Sequence, residues 1–305
     1  MGSFIIHKVV QSKLISANKT LRVRNKLMDL SSPKVMGILN VTPDSFYDGG
    51  LYARESSLLK QVEKMVVDGA DFIDIGGYSS RPGAEDISIA EEWKRVGSAI
   101  QSIKKEFPSV LLSIDTFRSQ VAQKAVDEGC DMVNDISAGQ LDKEMFKTVA
   151  ALQVPYVIMH MRGTPQTMTS LAQYENLIKE IIDYFHGILY QLNAFGVKDV
   201  LVDPGFGFAK TVDQNFELLS RLEQLHILYK PMVIGLSRKS MVWKTLNTSA
   251  EFALNGTTSL NTVALLKGAA ILRVHDVKEA KEVIGLFERL KKSRQPASRS
   301  SAKGR

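Results

Sequence analysis

The sequence predicts an α/β chain: a single (β/α)8 barrel with a short hairpin-like N-terminal extension and a disordered basic C-terminal tail. Three observations carry that reading. Apolar or β-branched runs recur eight times, at 35–39, 72–75, 110–114, 131–133, 155–159, 199–202, 232–235 and 270–274. Segments of helical spacing rich in Ala, Glu, Lys and Gln separate them, at 55–68, 89–106, 118–128, 142–152, 174–195, 213–224 and 239–268, with a last helix over 277–291. Each strand is nearly all apolar, as a parallel sheet covered on its outer face requires. Eight such units match a closed barrel of roughly 250 residues. An open doubly wound sheet is the competing architecture, disfavoured because no Gly-x-Gly-x-x-Gly follows the first strand and no break in composition splits the chain.

The rhythm divides the 305 residues into three parts. Residues 1–33 precede it, and within them 20–29 alternate apolar and polar side chains around Asn25, which suits a short hairpin closing the lower mouth. Residues 34–291 form the barrel. Residues 292–305 are polar and basic and read as disordered. The net charge of +6 belongs to the chain's end: Lys291, Lys292, Arg294, Arg299, Lys303 and Arg305 account for it. Taking these six from 39 basic residues leaves 33, equal to the 33 acidic ones, so the charge gives no support to a nucleic-acid partner. The single cysteine, Cys130, excludes a disulfide framework or a cysteine metal cluster and reads as a small buried hydrophobe. With no signal-like segment and no run long enough to span a bilayer, a cytoplasmic protein without a membrane partner is the expectation.

Function is read from what stands at each strand's C-terminal end, where barrels of this kind build their sites. The first strand stops at Asn40 and enters a Thr-Pro-Asp-Ser turn. The second runs into Gly76-Gly77-Tyr78-Ser79-Ser80-Arg81-Pro82-Gly83. The third ends in Asp115, the fourth in Asn134-Asp135, and the fifth in Met159-His160. The sixth ends in Asp203-Pro204-Gly205-Phe206-Gly207-Phe208, the seventh leads to Ser237-Arg238-Lys239-Ser240, and the eighth to Arg273-Val274-His275. Singly, each is ordinary: an aspartate after a strand is most often a helix cap or turn former, and an arginine in a Gly/Pro loop is usually solvated. Packing and turn formation do not account for the ensemble, and loops carry function in this architecture.

The groups sort by chemistry. Asp115, Asn134, Asp203 and Lys239 offer acceptors and donors suited to a flat heterocycle whose edge alternates N–H and carbonyl groups, because a carboxylate can take two adjacent N–H groups at once. Asn40, Arg81, Arg273 and His275 are rich in donors and suit a phosphate or pyrophosphate. Ser240, expected at a helix N-terminus, marks a separate anion site.

These motifs, Gly37–Phe46, Asp74–Ala84, Ser113–Thr116, Asn134–Ser137, Met159–Met161, Asp203–Phe208, Ser237–Ser240 and Arg273–Asp276, closely resemble the dihydropteroate synthase family, in the family's order and over about residues 20–290. The resemblance implies a pterin-binding TIM barrel and a transferase of folate biosynthesis, which joins 6-hydroxymethyl-7,8-dihydropterin pyrophosphate to 4-aminobenzoate. It implies pterin contacts from Asp115, Asn134, Asp203, Lys239, Met159 and Phe208. Pyrophosphate contacts would come from Asn40, Arg81, Arg273 and His275, with Mg2+ on Asn40. Aminobenzoate contacts would come from Ser80, Pro82, Phe208, Lys239 and Ser240. Asp115, Lys239, Arg81, Arg273 and His275 would carry the chemistry, loops 41–52 and 78–88 would close over it, and the protein would be a homodimer.

Two positions depart from the family. Ser80 stands where Thr is frequent, which bears on the shape of the aminobenzoate pocket and on sulfonamide discrimination. Ala209 stands where Gly is frequent. Two other functions are weighed. A methyltransferase using methyltetrahydrofolate needs no arginine-bearing Ser79–Pro82 loop and no Ser237–Ser240 element. An inactive pterin-binding paralogue would have lost charges from the mouth, and no matched charge is missing.

Overall fold

The computed structural model describes residues 19–41, 51–80 and 86–293, with only the backbone for 51–54. The chain opens with β1 (Thr20–Val23) and β2 (Lys26–Asp29), an antiparallel hairpin turning at Arg24, whose φ of 54° is left-handed. There follow β3 (Lys34–Asn40), α1 (Leu51–Val67), β4 (Phe72–Gly76), α2 (Ile89–Glu106), β5 (Leu112–Asp115), α3 (Ser119–Asp127), β6 (Met132–Asp135), α4 (Met145–Leu152), β7 (Tyr156–Met159), α5 (Leu177–Ala194), β8 (Val200–Asp203), α6 (Val212–Ser220), β9 (Met232–Ile234), α7 (Ser240–Thr245), α8 (Leu254–Leu266), β10 (Ala269–Val274) and α9 (Val277–Ser293). Strands β3 to β10 pair in parallel and close in the order β10-β3-β4-β5-β6-β7-β8-β9. This is the expected barrel, and the expected hairpin precedes it.

Local chemistry starts the helices where the sequence supplies it. The Ser88 hydroxyl accepts from Glu91 N–H at the head of α2, and Asn176 does the same for Lys179 at α5. Thr211 and Gln214 cap α6 reciprocally. Two expected helices are shorter than their apolar spacing suggests. The segment 213–224 yields α6 and then a 3-10 helix, Leu222–Leu228. The segment 239–268 is two helices, α7 and α8. Asn247 adopts a left-handed φ of 50° just after α7, and Thr248 and Ser249 offer hydroxyls that compete with helix hydrogen bonds.

Alternation along the strands separates two apolar layers. The outward faces of the strands pack against the helices in one large cluster. Inside the barrel, Met36, Phe72, Met132, Val157, Leu201, Val233 and Ile271 form a layer at the N-terminal end, closed from below by Leu21, Val23 and Leu30. The hairpin is pinned there by charge: Arg24 Nε and Nη2 grip the Asp131 carboxylate at 2.6 and 3.1 Å, and Arg22 N–H donates to Asp199 at 3.0 Å. The lower end is thereby closed by apolar side chains, with Ser113 as a buried polar group beside Met132.

Leu21 is 1% exposed in this plug. Replacing it with Ala should lower stability by about 2–4 kcal/mol, read from urea unfolding, while leaving any chemistry at the opposite end within a few-fold. An unchanged unfolding midpoint would show that the hairpin does not seal the core.

Candidate functional site

Register delivers a polar layer directly above the apolar one. Asn40 lies beside Gly76 and Gly76 beside Asp115; Asp115 lies beside Asn134, and Met159 beside Asp203. Two residues before Gly76, and so on the same inward face, is Asp74. Asp74 is fully buried, and its Oδ2 accepts from Asn134 Nδ2 at 2.9 Å and from Arg273 Nε at 2.6 Å. Arg273 Nη2 reaches Asp115 Oδ2 at 2.6 Å. Four side chains from β4, β5, β6 and β10 thus form one connected cluster, with the guanidinium shared between two carboxylates.

A second cluster faces it across Gly235. A side chain there would begin 3.8 Å from Lys239 Nζ, 4.0 Å from Asp203 Oδ2 and 4.0 Å from Arg273 Cβ. The missing side chain therefore keeps open the floor on which these groups converge. Gly76 does the same on the other side, where a Cβ would stand 3.7 Å from Asp115 Oδ2 and 3.9 Å from Asn40 Oδ1. Asp203 is held by its own loop, with Gly205 N–H donating to Oδ1 at 2.8 Å. That loop needs glycine at 205: φ is +72° and a Cβ would sit 2.0 Å from the His160 carbonyl oxygen.

An apolar wall flanks the floor. Met159 packs with Ile136, Met161, Met168 and Ala209, and Phe117 and Phe208 lie against them. Lys239 Nζ stands 4.9 Å from the centre of the Phe208 ring and donates to the Phe206 carbonyl. Ala209 holds a left-handed φ of 46°, which a glycine would adopt without strain, and its buried methyl packs into the wall.

Electrostatics follow burial. Desolvation pushes the Asp115 carboxyl up to about 7; Arg273 opposes that shift and Asp74 adds to it. Burial raises Asp203 too, against the pull of Lys239. It pushes the Lys239 ammonium down to about 8, with Asp203 opposing. The exposed His275 is oriented through Ser237, whose hydroxyl accepts from the His275 backbone N–H at 3.1 Å and lies 3.0 Å from Nδ1.

Asn40, Asp115, Asn134, Met159, Asp203, Phe208, Lys239, Arg273 and His275 all stand at the C-terminal ends of the strands or just beyond. Ser80 is half-buried at the end of its described segment, and Ser240 opens α7. Arg81 and Pro82 lie outside the described residues, as do most of the first loop and part of the second. Among the described residues no three His, Cys, Asp or Glu side chains gather as a metal cluster. Asn40 offers a single neutral oxygen, a donor set that suits Mg2+ carried on a phosphate rather than a cage built by the protein.

Motif reading gave no role to two charges, the buried Asp74 and the half-buried Lys210. Asp74 hides inside the apolar run Phe72–Ile75, although charged side chains are seldom buried without partners, and that alone marks it. Lys210 lies under the loop after β8, donating to the Gly205 and Phe208 carbonyls at 2.9 and 3.1 Å and 3.0 Å from His160 Nδ1. Arg238, in the Ser237–Ser240 motif, grips Asp276 at 3.0 and 2.7 Å and so braces the turn.

Residues 36–275 match the model of the pterin binding enzyme family. The chain is 38% identical over 263 residues to the dihydropteroate synthase of Escherichia coli (strain K12), covering 86% of this chain and 93% of that one. Among solved structures it resembles the Yersinia pestis dihydropteroate synthase in complex with a sulfonamide drug, with a TM-score of 0.84 and 38% identity over 90% of this chain and 99% of that one. It also resembles the Xanthomonas albilineans dihydropteroate synthase with 4-aminobenzoic acid, with a TM-score of 0.83 and 33% identity over 90% and 98%.

The Asp115 shift has a sign that can be tested. A carboxyl whose folded value lies above its unfolded one keeps its proton in the folded chain where the unfolded chain has lost it. Between about pH 4 and 7 it therefore lowers stability as pH rises. Asp115→Asn should flatten that part of the stability profile, measured as urea midpoints from about pH 4 to 7. A slope identical to that of the parent protein would contradict the burial argument.

Proposed function

Because the chain belongs to the pterin-binding enzyme family, we propose that its mouth performs the dihydropteroate synthase reaction. The protein condenses 6-hydroxymethyl-7,8-dihydropterin pyrophosphate with 4-aminobenzoate and releases pyrophosphate and 7,8-dihydropteroate. The open floor at Gly235 carries this reading, because a carboxylate, a lysine and an arginine converge there beside an apolar wall. That is the environment a flat, polar-edged bicycle requires.

In this assignment Asp203 receives the N3 and 2-amino hydrogens of the pterin. Asn134, Asp115 and Lys239 take the rest of its edge, and Met159 and Phe208 line its faces. Arg81, Arg273 and His275 bind the pyrophosphate oxygens. Asn40 would hold Mg2+, which when bound neutralises charge on the departing pyrophosphate. Ser80, Pro82, Phe208, Lys239 and Ser240 receive the aminobenzoate.

The methylene carbon–oxygen bond breaks with its electron pair going to pyrophosphate, and the cationic side chains stabilise that charge. The dihydropterin ring spreads the positive charge left on the methylene carbon. Asp115, when ionised, stabilises that charge from a poorly hydrated position. The neutral arylamine nitrogen then forms the new C–N bond and releases one proton. A strong base is not required, so Asp115 acts by charge and orientation.

No described helix is long and apolar enough to cross a membrane. A cytoplasmic homodimer accords with the resemblance.

Purified protein given both substrates should yield pyrophosphate and dihydropteroate in equal amounts with Mg2+ and far less without it. No product under either condition would sink the reading. Asp203→Asn should abolish pterin binding in calorimetry, whereas Lys239→Ala should raise both KM values roughly ten-fold or more. Undiminished pterin affinity in Asp203→Asn would show that the ring binds elsewhere.

A further inference from the structure

Asp74 has no part in the assignment above, yet it is the carboxylate on which two assigned residues rest. Both of its hydrogen bonds arrive at a single oxygen: Asn134 Nδ2 and Arg273 Nε meet at Oδ2, and the buried Oδ1 has no protein partner. A carboxamide alone is ambiguous, because a half-turn about its last bond exchanges donor for acceptor. A carboxylate only accepts. With Asp74 behind it, the Asn134 amide must turn its nitrogen inward, which leaves Oδ1 for a ligand. The guanidinium is constrained likewise: Nε is held by Asp74 and Nη2 by Asp115, so its plane is fixed by two partners on neighbouring strands.

We propose that Asp74 is a positioning residue of the ring site: it sets the Asn134 carboxamide with its oxygen toward the ligand and locks the Arg273 guanidinium in one plane. The proposal rests on the pterin reading and deepens it. The site then selects a ring that presents an N–H group to Asn134, and an analogue that presents a lone pair there is refused. The geometry also separates orientation from charge. An asparagine at 74 can place its oxygen at the Oδ2 position and receive both donors, while its NH2 occupies the place of the unpartnered oxygen. A leucine leaves two buried donors without an acceptor.

The test compares Asp74→Asn and Asp74→Leu in full-length protein by steady-state kinetics with both substrates, alongside circular dichroism and thermal melts. Asp74→Leu should raise the KM for dihydropterin pyrophosphate roughly thirty-fold and move the KM for 4-aminobenzoate less than about three-fold. Asp74→Asn should restore the pterin KM to within about five-fold of the parent. In an Asn134→Ala background the leucine change should cost clearly less than it does alone, because its target is gone. If the leucine variant does not fold, Asp74→Ser is read instead, its hydroxyl being too short to reach either donor. Equal effects on both KM values, no effect on either, or full multiplication of the two changes would overturn the proposal. Parent protein that forms no dihydropteroate would overturn the underlying reading. Turnover by the parent with an unmoved pterin KM in Asp74→Leu would overturn this inference alone.

Discussion

The mouth of the barrel depends on one half-buried cation, the Arg273 guanidinium, held between Asp74 and Asp115. Three charges in a poorly hydrated interior are costly unless they satisfy one another, and losing one member strands the others. Two carboxylates so close would repel; the guanidinium between them lets both remain, and burial still lifts Asp115 well above the usual carboxylate range. Asn134 is tied to the same cluster through Asp74, so the donors and acceptors facing a ligand are set before it arrives. Such preorganisation is what lets electrostatic stabilisation act without rearrangement during reaction.

The cluster exists because the backbone register allows it. Asn40, Gly76, Asp115 and Asn134 stand side by side on successive strands, with Asp74 one step lower on the same inward face. Beneath lies the apolar layer closed by the hairpin, so a ligand meets the polar groups from above. Gly76 and Gly235 leave room where side chains would otherwise fill the floor. Stability is thereby concentrated at one end of the barrel and binding chemistry at the other, as in barrel enzymes generally.

Much of this was legible in the chain, for physical reasons. Eight apolar runs alternating with helical spacing leave few architectures besides a closed parallel barrel, and the polar residues at the run ends had to meet at one rim. The hairpin around Asn25 could be read from the alternation of apolar and polar side chains on its first arm, Thr20–Arg24. Other features were hidden because one-dimensional patterns do not record partners. Asp74 reads as an exception inside a strand until Asn134 and Arg273, 60 and 199 residues away, are seen on it. Arg238 has no role in the motif until its grip on Asp276 is visible. The break between α7 and α8 falls in a stretch whose apolar spacing continues, and it depends on the backbone at Asn247.

The most direct test of the central claim is a crystal structure of the protein with 6-hydroxymethylpterin at a resolution that shows side-chain hydrogen bonds. The account places the ring over Gly235, with its N3 and 2-amino groups on Asp203, Asn134 and Asp115 along the remaining edge, and Arg273 still bonded to Asp74. A ring bound outside this floor, or an Arg273 swung away from Asp74 with the ring in place, would contradict it.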